Sequence, residues 1–310
     1  MAIYDKNGNE LNVGSSMFVN VKDFGAKGNG AVNDATAIQA AFDSISSTGG
    51  IVYFPTGTYA VGSAVKFYSN QTVWFENGAK LIALSSSVNN LMRAACDLTI
   101  TGYNGVHDVT VYGATFDGSA FGASNTLFGF AHCKNIIVDS CRFIKPYGLS
   151  HNFEINSSYN VRVQNCYFDR GGNPGANGEM LQIDSATYGA WMDDSNTDGT
   201  ISKCIEIHNC TFENNTASPA IGNHSVAQQQ IRIHDNLFNN LTGTRGAIHF
   251  DSATANVDIY SNTFLDCTTG IGSESGTYYI HDNRFTGVTT AISGTASVAH
   301  NNMINGTFTA

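Results

Sequence analysis

The feature that most constrains this chain is a repeat in its C-terminal two thirds. The segment NIIVDSCRF (135–143) returns as NVRVQNCYF (160–168), CIEIHNCTF (204–212) and QIRIHDNLF (230–238). It continues as NVDIYSNTF (256–264) and TYYIHDNRF (277–285), with weaker copies at DVTVYGATF (108–116) and SVAHNNMI (297–304). From 135 the starts are 25, 44, 26, 26, 21 and 20 residues apart. The step of 44 is one period plus an insertion of about 19 residues between 185 and 203. Each copy alternates apolar and polar residues and then turns, which is the period of a strand. A short period built from strands predicts a parallel β-helix, in which each repeat is one coil stacked on the last.

The closing Phe of each copy (Phe116, Phe143, Phe168, Phe212, Phe238, Phe264, Phe285) is then expected to form an internal aromatic ladder. Two positions earlier stand Cys141, Cys166 and Cys210, then Asn236, Asn262, Asn283 and Asn302. An inward Asn can bridge the backbones of adjacent coils, and the Cys residues read as the apolar form of the same position. A second strand precedes each copy: LFGFAHC (127–133), NFEINSS (152–158), MLQIDSA (180–186), AIGNHSV (220–226), AIHFDSA (247–253), GIGSES (270–275) and AISGTA (291–296). Its second residue is always apolar and points inward, so the third and fifth face outward.

The N-terminal third differs. VNDATAIQAAFDSI (32–45) offers a cap at Asn33 or Asp34, followed by Ile38, Phe42 and Ile45 at helical spacing. A helix there would cover the open end of a solenoid, whose strand edges and apolar interior need protection. GGIVYFPTGTYAV (49–61) reads as strand, turn, strand, and TVWFENGAKLIAL (72–84) as a hairpin around Asn77-Gly78. The run FVNVKDFGAKGNGAVNDATAIQAAF…GGIVYFPTGTYAV (18–42, 49–61) resembles the N-terminal signature of the pectate-lyase superfamily. That resemblance implies an all-β fold, a single-stranded right-handed parallel β-helix (solenoid) with an N-terminal capping helix. The superfamily includes polysaccharide lyases, glycoside hydrolases, epimerases and phage tailspikes, so the resemblance implies a fold more than a reaction. The leader MAIYDKNGNEL (1–11) is similar to the start of phage tail proteins. Homotrimers are common among β-helix tailspikes, and a homotrimer is implied on that ground alone. The expected organisation is a leader (1–17), a cap with the first coils (18–100), and regular coils (101–310) with loop insertions near 170–179 and 186–203.

Charge narrows the partners. Lys and Arg number 15 against 25 Asp and Glu, a formal net charge of −10, so no basic surface is expected for nucleic acid or an anionic membrane. No apolar run is long enough to cross a membrane, and the N-terminus lacks the charged start and apolar stretch of a secretory signal. The chain is expected either in the cytoplasm or outside the cell by another route, such as release with a virus particle. Seven cysteines without a CxxC pair argue against a disulfide framework or structural zinc. The abundance of Gly (32) and Asn (33) suits many short strands joined by tight turns.

Chemistry is expected on the outer wall of the second-strand series. Its fifth-position column reads Ala131, Asn156, Asp184, His224, Asp251, Glu274 and Thr295. Its third-position column reads Gly129, Glu154, Gln182, Gly222, His249, Gly272 and Ser293. Clustered carboxylates repel, so a purely structural wall would avoid them. Glycoside hydrolysis needs one carboxylic acid to protonate the leaving oxygen and a carboxylate to activate water. Asp184 with Asp251 is the first expected pair and Glu154 with Asp184 the second, with His224 placed to tune a pKa or hold substrate. Tyr188 and Trp191 would stack on sugar rings, and Glu179, Asp193 and Asp194 would bind hydroxyls. Gln182, His249, Glu274 and Arg245 complete the substrate-binding set for a bacterial or plant polysaccharide. Hydrolysis here calls on no cofactor. The runner-up, β-elimination on a uronic-acid polymer, needs Ca²⁺ or an Arg such as Arg170 or Arg245 to neutralise the carboxylate. A third reading is a glycan-binding tail protein without catalysis. His107, His132, His208, His234 and His281 read as ordinary outward polar positions, Asp117 as a turn residue, and His151 has no assigned role.

Overall fold

The computed structural model describes residues 17–120, 126–144, 151–170, 178–186, 197–216, 219–223, 228–243, 245–251, 254–273, 276–294 and 296–308, with the backbone of Ile3–Tyr4 and Glu10–Leu11. Three parallel sheets run along the molecule, and each regular coil gives one strand to each. In one coil the strands are Phe153–Asn156, Tyr159–Gln164 and Tyr167–Asp169. Numbered in that order, sheet 1 has nine strands, sheet 2 eleven and sheet 3 twelve among the described residues. The chain is thus a parallel β-helix, as the repeat predicts.

Each repeat copy is two strands meeting at a sharp corner. The residue at that corner has φ of +53° to +56° in Ser140, Asn165, Asn209, Asp235, Ser261, Asp282 and Asn301. Left-handed backbone is costly for most side chains, while Asn, Asp and Ser tolerate it best. The next residue points inward. Asn262 shows what it does: its Nδ2 donates to Ile233 O at 2.8 Å and to Asn283 Oδ1 at 3.0 Å, and its Oδ1 accepts from Asn236 N at 3.0 Å. The column continues from Asn302 through Asn236 to Cys210, Cys166 and Cys141. These thiols are buried and unpaired, and burial raises their pKa at Cys141 and Cys166. They act as small apolar groups.

The Phe column follows in sheet 3. From Phe116 to Phe285 the ring centroids are 4.6–5.1 Å apart and within 11° of parallel. Every ring is fully buried. Each contributes roughly 1.5–3 kcal/mol by leaving water, and stacking aligns one coil on the next.

At the N-terminal end, α1 (Ala35–Ser44) lays Ile38, Ala41 and Phe42 over the first coils. Asn33 Oδ1 accepts the Ala35 N–H at 3.1 Å, while the Asp34 carboxylate turns back to Lys27 N and Gly28 N. The expected hairpin at Asn77-Gly78 does not form. Gln71–Phe75 belongs to sheet 2 and Lys80–Ala83 to sheet 3, so the Asn-Gly pair makes a coil corner. At the other end, Met303–Ile304 and Thr307–Phe308 pair antiparallel and cover the edge of sheet 3.

Replacing Asn262 with Ala strands the backbone groups of two coils. Urea unfolding of Asn262→Ala should show a loss of about 1–3 kcal/mol, and Phe212→Ala a loss of about 3–5 kcal/mol. Unchanged midpoints would remove the two columns as the source of register.

Candidate active site

Sheet 1 carries the expected acids. Phe153 packs inward, 5.5 Å between centroids from Phe143, so alternation sends Glu154 and Asn156 to the outer side. Backbone pairing links Gly129, Glu154, Gln182, Gly222, His249, Gly272 and Ser293 in one column. Ala131, Asn156 and Asp184 are linked in the next. Asp251 follows Phe250, whose partner is Asn223, and its N–H donates to Asn223 Oδ1 at 3.0 Å. Alternation past the inward Phe250 puts Asp251 on the same outer wall as Asp184. His224, Glu274, Tyr188, Trp191, Asp193 and Asp194 lie outside the described residues.

This wall is dry. Exposure is 3% for Glu154, 0% for Glu179, 5% for Gln182 and 2% for Asp184. After Asp184 the chain folds back: Ala186 packs on Ala131, and its N–H donates to Ser157 Oγ at 2.8 Å. Glu179 reaches over Gly222, where an added Cβ would lie 3.2 Å from Glu179 Cγ. Likewise His249 Nδ1 would lie 2.6 Å from a Cβ on Gly272. The two glycines leave room for a titratable side chain above the sheet.

Glu154 accepts from Thr126 Oγ1 at 2.7 Å and from Asn156 Nδ2 at 3.2 Å. His151 lies between two acids, with Nε2 3.8 Å from Glu154 Oε1 and Nδ1 3.5 Å from Glu179 Oε2. Its Nδ1 is also 3.0 Å from Glu179 O, a carbonyl that only accepts, so Nδ1 carries a proton. Asp184 receives Gln182 Nε2 at 3.2 Å and the Ser185 N–H at 2.9 Å. Burial pushes Glu154 up to about 8, against the hydrogen bonds from Thr126 and Asn156, and the charges of Asp184 and Glu179 add to the rise. Burial likewise pushes Glu179 up to about 7, with Arg245 opposing and Asp184 reinforcing. At neutral pH Glu154 keeps its proton and Glu179 is divided between its two forms, although the ordinary value of both is 4.5.

A second group sits further along. Asp251 is ion-paired with Arg245, and His249 Nε2 is 2.9 Å from Asp251 Oδ1. Asn223 lies on the other side of its strand, fully buried, with its Nδ2 donating to Thr254 Oγ1 at 3.3 Å. Arg170 instead pairs with its neighbour Asp169 at 3.1 Å, with over half of its side chain exposed. Asp117 ends a strand beside Lys80 and Ser119, a turn role. Among the described residues, no group of three or more His, Cys, Asp or Glu is arranged to hold a metal ion.

Sequence reasoning left His151 without a role. His151 stands just before its strand, where periodicity places nothing. His132 is a correction: it is fully buried, with Nδ1 2.8 Å from Gly102 O, because its left-handed backbone (φ +57°) turns it out of the outward series.

A carboxyl whose pKa rises on folding stabilises the protein below its unfolded value and loses that contribution as pH climbs through the folded value. Glu154 and Glu179 place that window between 4.5 and about 8. The melting temperature should therefore fall between about pH 5 and about pH 9, and the fall should be shallower in Glu154→Gln. Parallel pH profiles for the two proteins would mean that Glu154 titrates normally.

The whole arrangement can be set beside known proteins. Over 260 residues the chain is 28% identical to plasmin and fibronectin-binding protein A of Streptococcus pneumoniae, covering 72% of this chain and 36% of that one. It spans about a third or less of the length of the curated relatives it matches. A structure of the S. pneumoniae surface protein and adhesin PfbA superposes with a TM-score of 0.67 at 19% identity, over 93% of this chain and 98% of that one. The family 28 exopolygalacturonase of Yersinia enterocolitica superposes at 0.68 and 13% identity, over 96% and 68%. These likenesses are of fold. Residues 18–293 match the model of the rhamnogalacturonase A/epimerase, pectate lyase-like family. With that match over most of its length and its three parallel sheets, the chain belongs to this family of right-handed parallel β-helix proteins.

Proposed function

We propose that this chain hydrolyses a polysaccharide on the outer wall of sheet 1. The observation that carries the reading is the pairing of Glu154, which keeps its proton at neutral pH, with Asp184 on the adjacent strand. In this reading Glu154 gives its proton to the leaving glycosidic oxygen. Asp184 takes a proton from the water that attacks the anomeric carbon. The two residues are offset by one strand and two positions, about 8 Å between backbones. Inverting hydrolases separate their carboxyls by roughly 6.5–9.5 Å, which leaves room for the water. His151, between Glu154 and Glu179, holds the acid in place.

Asp251 is assigned to substrate binding. Its carboxylate is engaged by Arg245 and His249, which leaves it less free to receive a water. This favours Glu154 with Asp184 over Asp184 with Asp251. The family is carbohydrate-active, which supports a glycan as substrate. Hydrolysis is favoured over elimination because Glu154 retains a proton to give to the leaving oxygen and Asp184 stands beside it as a carboxylate base. Because the acids are buried, reaction requires the wall to be uncovered when polymer binds. That same burial favours a second reading: retention of a polymer without cleavage.

New reducing ends, without ultraviolet-absorbing unsaturated product and unaffected by chelator, are the expected outcome on a panel of bacterial and plant glycans. Glu154→Gln and Asp184→Asn should each lower kcat about 10²–10⁴-fold. Chelator-sensitive unsaturated product would establish elimination, bound but intact polymer would establish the second reading, and undiminished cleavage by Asp184→Asn would remove it from the mechanism.

A further inference from the structure

Sheet 2 has an outer face that the proposed reaction does not use. Its strands Tyr159–Gln164, Lys203–His208, Gln229–His234, Thr254–Tyr260 and Gly276–His281 pair in sequence, with one register shift, between Thr254 and Val257 against the last strand. Two outward columns frame a groove of about 430 Å³ between them. One rail is Asn160, Cys204, Gln230 and Asn256, each in left-handed backbone with φ of +53° to +56°. The other is Arg162, Glu206, Arg232, Asp258 and Tyr279. Beyond it, His208, His234, Tyr260, His281 and His300 stack as parallel rings 4.7–5.3 Å apart. Those ring faces cover one another, so this column is a stiff flank.

The groove is built of planar polar groups. Glu206 Oε2 accepts Arg162 Nε at 2.9 Å, and its Oε1 lies 3.3 Å from Arg232 Nη2. Burial disfavours the Glu206 charge, but Arg162, Arg232 and His234 outweigh it and hold its pKa below the usual range. Asp258 Oδ1 meets His281 Nε2 at 3.1 Å. Two guanidinium groups face two carboxylates, so the charge of the groove sums to zero. The side chains of Arg162 and Arg232 are 48% and 59% exposed, which leaves donors of each fork open to a ligand. Tyr279, 40% exposed, offers a ring at one end.

These features select a ligand. Zero net charge gives no preference for a uronate, sulfate or phosphate. A double row of amides, carboxylates and guanidiniums matches the paired donors and acceptors of vicinal hydroxyls. Five coils at about 4.8 Å spacing give a trough of roughly 19 Å, the length of about four pyranose units. We propose that the outer face of sheet 2 is a second glycan-binding site, taking a neutral oligosaccharide along the groove between Asn160 and Tyr279. It lies on a different sheet from Glu154 and Asp184, so it stands whether or not sheet 1 catalyses.

The test uses the full chain carrying Glu154→Gln, with neutral hexasaccharides (cellohexaose, xylohexaose, mannohexaose, maltohexaose) and galacturonate and mannuronate hexamers as probes. At least one neutral hexamer should shift the Nε–H signals of Arg162 and Arg232 in nitrogen-correlated NMR spectra. Arg232→Ala and, separately, Tyr279→Ala should weaken that binding roughly tenfold. Both residues are exposed, so the variants should fold, and cleavage of a soluble substrate by the otherwise native chain should be unchanged. The proposal is overturned if no neutral hexamer binds, if only the uronate hexamers bind, or if binding persists undiminished in both variants.

Discussion

Everything in this protein depends on the parallel backbone pairing that sets each coil on the next. Adjacent strands lie about 4.8 Å apart, and pairing runs unbroken through sheet 1 from Val65–Phe67 to Thr290–Gly294. Residues 20 to 50 positions apart in the chain thereby become neighbours. A slip of one residue would turn the Phe column outward and the Glu154 column inward. The Asn ladder and the stacked rings oppose that slip, since each side chain in them finds its partner only in one register. The inside of the solenoid thus fixes which side chains meet on its outside.

That geometry explains how a chain with few charges concentrates them. On sheet 1 a dry wall brings Glu154, Glu179 and Asp184 together with His151, and loss of water raises the pKa of Glu154 and Glu179. On sheet 2 charged groups remain wetter and pair with opposite partners: Arg162 and Arg232 with Glu206, and His281 with Asp258. A cluster of buried acids and a balanced ion row are different electrostatic solutions on one scaffold. The first suits proton transfer and the second suits recognition.

The repeat made the fold legible because a solenoid converts sequence period directly into spatial neighbours. The columns from Gly129 to Ser293 could be written down from alternation alone. Features set by single residues were harder to read. Asn77-Gly78 carries the chemistry of a hairpin turn, but the surrounding register makes it a corner between sheets. Outward position was legible at Glu154 and Asp184, whereas their burial was not, because burial depends on chain that returns over the wall at Glu179 and Ala186. The histidines of sheet 2 read as ordinary outward residues one at a time. Their meaning as a stack lies in the vertical spacing.

The protonation of Glu154 bears most directly on the central claim. Infrared difference spectra across a pH titration, with the Glu154 carboxyl band assigned by its disappearance in Glu154→Gln, measure it in the folded protein. A protonated band that persists through neutrality and is lost near about 8 is the predicted result. A band already lost near the ordinary value of 4.5 would contradict the account.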